Sequence, residues 1–231
     1  MDEDFDLRDF ANVCRLFPLP RVVLFPHAVL PLHIFEPRYK QMTEDALAGD
    51  KLVTIVQWRG APIPVHPVGE PPIEEIACLG RILQHERLPD GRFNFLLLGR
   101  KRVRLGREIP SHKLYRLAEA EVLEDENTDR PEEPHRSELI AQFRQALEAS
   151  QALDPDLEGL LKTALPLGVL TDLIAHALSL PPEIKQLLLA ETRVDRRAAR
   201  LHPILREIIG HARGPASADD PRLFPPPFSR N

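Results

Sequence analysis

The first half of the chain repeats short apolar runs at the spacing expected of a β-sheet. The run KLVTIVQW, residues 51–58, is almost continuous in apolar β-forming residues, which predicts a strand buried on both faces at the centre of the sheet. Residues 76–88 predict a longer strand with a bulge at Gly80. The turn sequence LPDG follows, so residues 92–98 are predicted to return as its hairpin partner.

Two further patterns complete this predicted sheet. Gly99 is expected to interrupt the returning strand. Residues 114–123 predict another strand with one solvated face, because small apolar and acidic residues alternate along it. The alternating residues are Ala118, Ala120 and Val122 against Glu119 and Glu121.

The segment FPLPRVVLFPHAVLPLHIFEPRY, residues 17–39, combines several local structural preferences. Residues 21–25 and 29–35 are predicted strands, with prolines at their edges and turns. A helix is predicted to start at Pro37, because proline suits the first helical position, and to end at Gly49. The carboxylate of Glu36 would lie at the helix N-terminus, where negative charge is favourable.

The pattern becomes helical after a charged stretch, EDENTDRPEEP, at residues 124–134. Apolar residues then recur every three or four positions in five segments. Each of these apolar stripes has to be buried against another, which predicts a helical bundle. The stripes are Leu139, Phe143 and Leu147; Leu157, Leu160, Leu161 and Ala164; Leu170, Leu173, Ile174, Ala177 and Leu178; Ile184, Leu187 and Leu188; and Val194, Ala198, Leu201, Leu205 and Ile208.

We therefore predict an α+β fold in which a mixed β pseudobarrel precedes an α-helical bundle. Helix and strand do not alternate as they would in a doubly wound sheet. The predicted units are an N-terminal arm (1–14), the pseudobarrel (15–125), the helical bundle (135–212) and a proline-rich tail (213–231) that we expect to be disordered.

Three stretches, residues 17–39, 79–105 and 168–201, resemble the Lon N-terminal (substrate-binding) domain family, in the order in which that family has them. The resemblance covers most of residues 15–210. It implies that the first subdomain is a PUA-like pseudobarrel and that the protein binds other proteins.

Lon proteases continue from this module into an ATPase and a serine-lysine peptidase, and the chain lacks the motif of the first. No G-x-x-x-x-G-K-[ST] phosphate loop occurs in the sequence. Neither Gly49 nor Gly99, each near a lysine, has the second glycine or the hydroxyl residue that the motif needs. We expect a stand-alone recognition domain that is not an enzyme.

Charge argues against nucleic acid as the main partner. The formal net charge of −5 and pI near 6.0 differ from the strongly basic character of most nucleic-acid-binding domains. The basic run of Arg100, Lys101, Arg102 and Arg104 leaves one alternative, an RNA-binding PUA-like module that uses this basic strand end. The other interpretation of the run is a set of charges that keeps an exposed strand end soluble.

We expect the protein to be cytoplasmic. Its amino terminus, MDEDFDLRDF, is acidic and unlike a secretory signal, and no uncharged apolar run approaches the about 18 residues of a membrane helix. Cys14 and Cys78 are flanked by apolar residues, so we expect two buried thiols in preference to a disulfide.

The sequence predicts no metal and no cofactor. Nine histidines are present, but none has the spacing of a metal-binding motif such as H-E-x-x-H. The serines lack the G-x-S-x-G elbow of a nucleophile. We therefore predict no catalytic residue.

Recognition of a polypeptide needs accessible apolar surface or an unpaired strand edge. The proline-rich stretch at residues 59–74 is long for a loop in a compact domain, which is typical of a functional or a disordered loop. We predict that its apolar residues border a peptide-binding groove together with three aromatic residues, although core packing is the alternative for Phe35 and Tyr39. The predicted site comprises Phe35, Tyr39, Trp58, Ile63, Val65 and Val68.

The expected partners are unfolded or degron-bearing polypeptides, with a separate ATP-dependent protease as a further candidate. In this interpretation the protein is an adaptor or regulator of proteolysis.

Overall fold

The computed structural model describes residues 10–60, 71–126, 133–149 and 165–213. The strands are β1 (Val13–Leu19), β2 (Val29–Ile34), β3 (Leu52–Gln57), β4 (Ile76–Arg87), β5 (Phe93–Ile109) and β6 (Leu117–Leu123). The helices are α1 (Pro37–Leu47), α2 (Glu133–Ala149), α3 (Leu167–Ala177), α4 (Pro182–Leu189) and α5 (Val194–Arg213).

The six strands form one mixed sheet in the order β2-β5-β4-β3-β1-β6. Strands β1 and β3 are parallel and the other pairs are antiparallel. Because the 17-residue β5 also pairs with β6, the sheet closes on itself, and β2 remains outside this ring. The predicted α+β fold, a mixed pseudobarrel followed by helices, is confirmed.

Strand β3 lies between β4 and β1, and all its residues are buried. The apolar run at residues 51–58 has no polar alternation because both faces of this strand are covered. The prediction of a central, doubly buried strand is confirmed.

Glycine shapes the β4–β5 hairpin at two positions. A register shift lies between Leu79 and Gly80, where the bulge was predicted, but the extra residue is Arg100 of the partner strand β5. The predicted interruption at Gly99 is wrong, since β5 runs through it to Ile109. A Cβ atom at Gly99 would lie 2.0 Å from the carbonyl oxygen of Phe25, so this position needs glycine for the close approach of the two backbones.

The predicted strand at residues 21–25 is also wrong. The strand lies earlier, at β1, which begins inside the region predicted to be an arm. Val23, Leu24 and Phe25 are buried, but residues 22–25 have no assigned strand structure. The run is apolar because its residues are buried in the core, and composition alone does not distinguish such a segment from a strand.

Helix α1 begins at Pro37 after Glu36, as predicted. The Glu36 carboxylate makes no capping hydrogen bond and instead accepts two hydrogen bonds from the Arg38 guanidinium, at 2.8 and 3.0 Å. The fixed φ angle of proline, and not a side-chain cap, favours the start of this helix.

The helical half follows the predicted stripes where it is described. Most stripe residues of α2, α3 and α5 are buried, whereas the predicted core residue Leu187 of α4 is exposed. The stripe at residues 157–164 and the tail at 214–231 lie outside the described residues. None of the described helices has the length and apolar character needed to cross a membrane.

The fold has two hydrophobic clusters. The smaller lies inside the barrel and contains Cys14, Leu16, Val56 and Leu105 among others. The larger joins the outside of the sheet to the helices, so its members come from both predicted subdomains. Cys14 and Cys78 are buried free thiols, as predicted, and burial raises the pKa of Cys14 to about 11.

Candidate functional site

Strands β2, β5 and β4 form a layer with one face on the large hydrophobic core and the other toward solvent. On the core side, Phe95 and Leu97 are buried. On the solvent side, the register places Pro31 of β2 opposite Leu96 of β5, and Leu96 opposite Gln84 of β4. This outward face is therefore built on three hydrogen-bonded strands.

The centre of the outward face is apolar. Val29 is 43% exposed, and Pro31 beside it is also exposed. A register shift between Ile82 and Gln84 leaves Leu83 without a partner on β5, and Leu83 is 48% exposed. We call Val29, Pro31, Leu83 and Leu96 the hairpin face.

A shallow cleft of ≈ 490 Å³ crosses this layer between β2 and β4. Its lining combines apolar residues of the sheet with polar residues at one end, the composition expected of a surface that holds an apolar segment and contacts its main chain. The lining comprises Pro31, Leu32, His33, Gln84, His85, Glu86, Asn94, Phe95 and Leu96.

Phe35, one of the predicted site residues, lies at the polar end of this face. It is 62% exposed, and its ring stacks on that of His33 with the centroids 6.2 Å apart. His33 is held by Asn94, whose Oδ1 lies 2.7 Å from its Nδ1, and by Arg92, which donates to its Nε2 at 3.3 Å. The structure thus holds an exposed aromatic ring beside the hairpin face.

Tyr39 has a different position from Phe35. It is 4% exposed, and its ring lies 4.2 Å from that of Phe17, centroid to centroid. Its hydroxyl lies 3.5 Å from the carbonyl oxygen of Pro18, and burial raises its pKa to about 12. Tyr39 is therefore a core residue and does not present surface to a ligand.

Trp58 lies at the end of β3, where its backbone N–H donates to the carbonyl of Leu19 and its backbone also pairs with Ile73. It is half-buried, and like Tyr39 it makes a polar contact with a carbonyl group at the end of β1. Ile63, Val65 and Val68 lie outside the described residues. The structure therefore does not bring Phe35, Tyr39 and Trp58 together on one surface.

The basic strand end is largely neutralised by acidic partners. Lys101 pairs with Glu124 at 2.7 Å, and Arg104 pairs with Glu121 at 3.2 Å. Arg102 is 3% exposed, so the prediction that it belongs to a solvated basic end is wrong. The RNA-binding alternative therefore rests on the other three cations of the run, Arg100, Lys101 and Arg104.

Arg102 instead belongs to a buried network that joins the barrel to the helices. Its guanidinium donates two hydrogen bonds to the Asp172 carboxylate of α3, one of them at 2.9 Å, and its Nε donates to the carbonyl of Leu189 at 2.9 Å. Arg197 of α5 donates to Asp125 at 2.6 Å and lies 3.2 Å from Asp172. Sequence reasoning missed this network, for which the one available sign was Asp172 in an otherwise apolar helix.

A polar cleft of ≈ 320 Å³ lies beside the network and is lined by His27, Arg100, Asp125 and Asp172 among others. Burial lowers the pKa of His27. Because Asp125 and Asp172 both pair with arginine side chains, this cleft is less suited to an apolar segment than the hairpin face.

A metal site requires several ligand side chains grouped around one point. No three histidine, cysteine, aspartate or glutamate side chains among the described residues are grouped in this way.

The model of one protein family, described as the ATP-dependent protease La (LON) substrate-binding domain, matches residues 13–207. The Lon protease of Azospirillum brasilense is 26% identical over 198 residues, which cover 84% of this chain and 24% of that protein. The Lon protease of Escherichia coli (strain K12) is 27% identical over 198 residues, which again cover 84% of this chain and 24% of that protein. The chain thus spans about a quarter of the length of these curated relatives.

Two solved structures have a similar fold. The Lon N-terminal domain protein from Xanthomonas campestris superposes with a TM-score of 0.61 at 22% identity, covering 83% of this chain and 97% of that one. The N-terminal domain of Mycobacterium avium complex Lon protease gives a TM-score of 0.63 at 16% identity, covering 86% and 98%. At these identities the likeness shows the fold.

Proposed function

The chain belongs to the ATP-dependent protease La (LON) substrate-binding domain family, and from this premise we propose that it binds exposed apolar segments of unfolded or degron-bearing polypeptides at the hairpin face. The clients are recognised by apolar side chains that a folded protein would bury. The role is binding, with no chemical step.

The observation that carries the proposal is the exposure of Val29 and Leu83 beside Pro31 and Leu96 on a hydrogen-bonded sheet. Covering apolar surface contributes roughly 25 cal/mol per Å². Because the sheet is already ordered, little conformational entropy is lost on the protein's side. Exposed apolar residues on hydrogen-bonded strands therefore suit a client whose sequence varies but whose apolar character does not.

The proposed biological role is that of an adaptor or regulator that presents such clients to an ATP-dependent protease. The family name supports it, because the matched region is a substrate-binding domain and the curated relatives are Lon proteases. The protease partner is a proposal that rests on this kinship alone.

Equilibrium binding of a fluorescent, permanently unfolded protein, reduced and carboxymethylated α-lactalbumin, tests the proposal. Leu83→Ser should weaken binding several-fold because it places a hydroxyl on the apolar face. Leu114→Ser is the matched control, since Leu114 is 60% exposed and lies in the loop before β6, outside the hairpin face. Equal affinity of the two variants, or no binding by the unsubstituted protein, would contradict the proposal.

A further inference from the structure

Strand β2 has an open edge. It is the last strand in the sheet order and pairs with β5 alone among the described strands. Val29, Pro31 and His33 are exposed along it. An open edge of this kind presents main-chain N–H and C=O groups that a further strand can pair with.

Two hydrogen bonds at Gly99 fix which residues of β2 face the open edge. The Gly99 N–H donates to the Ala28 carbonyl at 2.9 Å, and the Gly99 carbonyl accepts from the His27 N–H at 2.8 Å. Gly99 thus turns both main-chain groups toward β2, and in an antiparallel pair every second residue does the same. The next β5 residues that do so are Leu97, Phe95 and Phe93, opposite Leu30, Leu32 and Ile34.

The other residues of β2 must therefore turn their main-chain groups away from β5. These are Val29, Pro31 and His33. Pro31 agrees with this assignment independently, because it has no N–H to give and is tolerated where the ladder does not need one. The open edge consequently offers two N–H donors, at Val29 and His33, and three carbonyl acceptors.

We propose that an extended polypeptide segment binds this edge as an additional β-strand, with its alternate apolar side chains lying beside Val29 and Pro31 on the outward side of the sheet. This rests on the proposed function and states how the client's main chain is held. The residues that present main-chain groups at this edge recur at every second position, about 6.6 Å apart at about 3.3 Å per residue, which is the spacing of another main chain in a sheet. This pairing is independent of the client's sequence. The exposed side chains of Val29 and Pro31 then favour apolar side chains at every second position of the client.

Pro31 also disfavours a second copy of this chain as the occupant. Two β2 strands paired antiparallel about Pro31 would bring two prolines opposite each other, and neither could donate to the other's carbonyl. A client with an ordinary residue at this position can still donate to the Pro31 carbonyl. The edge therefore accepts a foreign strand more readily than its own copy.

Substitutions at Val29 distinguish strand addition from adhesion, by which we mean binding through apolar side-chain contacts alone. Val29→Pro keeps an apolar side chain but removes an N–H that faces the open edge, whereas Val29→Ala keeps the N–H and removes apolar surface. The probe is a synthetic ten-residue peptide of alternating valine and threonine with lysine at both ends. Strand addition predicts that Val29→Pro weakens binding roughly three- to tenfold, more than Val29→Ala does. Adhesion alone predicts the reverse order.

The complementary variant is Pro31→Val, which restores the missing N–H. It should bind the peptide roughly three- to tenfold more tightly, because one more main-chain hydrogen bond forms. Amide hydrogen exchange gives a direct readout: the peptide should slow exchange at Val29 and His33. Melting curves show that each variant is folded.

The outcomes distinguish the two proposals. Binding that depends on Leu83 but is indifferent to Val29→Pro and Pro31→Val, with no protection at Val29 or His33, overturns strand addition and leaves the proposed function standing. Concentration-dependent self-association of the unsubstituted protein through this edge overturns it in favour of a second copy. No binding of either peptide or unfolded protein overturns both proposals.

Discussion

The guanidinium of Arg102 on strand β5 and the carboxylate of Asp172 on helix α3 form a buried, bidentate ion pair, although the two residues are 70 positions apart in the chain. Their side chains are 3% and 1% exposed. Removing one partner leaves the other charge buried with one remaining counter-charge, Arg197 for Asp172 or Asp125 for Arg102, which is costly. Replacing both with apolar residues is far less so.

A double-mutant cycle should show this asymmetry. Arg102→Met and Asp172→Leu should each lower the free energy of unfolding by about 3–5 kcal/mol, and the double variant should lose clearly less than their sum. Urea unfolding followed by the fluorescence of the single tryptophan, Trp58, measures it. Strict additivity would show that the two side chains are not coupled.

The contact at Gly99 predicts a steric effect. Gly99→Ala should cost about 3 kcal/mol, because its Cβ would overlap the Phe25 carbonyl and push apart the backbones that hydrogen-bond there. Gly106→Ala on the same strand is the control, since the nearest atom to its Cβ would lie at 3.4 Å. Chemical denaturation of both variants should separate them, and equal stabilities would contradict the close approach at Gly99.

Acid should destabilise the protein through His176. Burial, with Lys185 nearby, lowers the pKa of His176 to about 4, and its Nδ1 has no hydrogen-bond partner in the described part of the chain. The unfolded chain, with a histidine pKa of about 6.5, binds more protons between these values. The free energy of unfolding should therefore fall as pH drops below about 6.5, by about 2 kcal/mol at pH 5 from this residue.

His176→Leu should remove that part of the pH dependence. The comparison is between the two proteins at each pH, because burial also lowers the pKa values of His27 and His202. Urea titrations at about pH 7 and pH 5 give the four stabilities needed. If the loss between the two pH values is the same with and without His176, its pKa is not depressed.

Salt should have little effect on polypeptide binding. Apolar contact releases no condensed counterions, whereas RNA binding that neutralises several phosphates would fall by roughly a decade or more between low and physiological salt. A variant with glutamine at Arg100, Lys101 and Arg104 should bind unfolded protein normally. It spares Arg102, whose loss would destabilise the fold, and salt-sensitive RNA binding lost in this variant would instead favour the RNA alternative.

Local pattern was sufficient to predict some elements. The buried β3 strand, the irregular pairing at Gly80 and the start of α1 at Pro37 each follow from a few adjacent residues. The strand prediction for the apolar run at residues 21–25 is wrong because a buried segment without strand pairing has the same apolar composition as a buried strand. The role of Gly99 was missed because the contact with Phe25 is distant in sequence.

The candidate site was harder to predict than the fold. The exposure of Leu83 follows from a register shift that no spacing rule reveals, and Tyr39 and Phe35 differ in burial although they lie in one short segment. The pairing of Arg102 with Asp172 depends on the docking of helices onto the sheet. Such relationships belong to tertiary structure, and a single sequence does not carry them.

Site-specific photo-cross-linking tests the central claim, that unfolded polypeptides bind at the hairpin face. The photoreactive residue benzoylphenylalanine would replace Leu83 in one variant and Leu114 in a second, and each would be irradiated with reduced, carboxymethylated α-lactalbumin and with its native, disulfide-bonded form. The account predicts covalent adducts with the unfolded protein at Leu83 and not at Leu114, and none with the native form. Equal adducts at both positions, or none at Leu83 while binding is measurable, would contradict it.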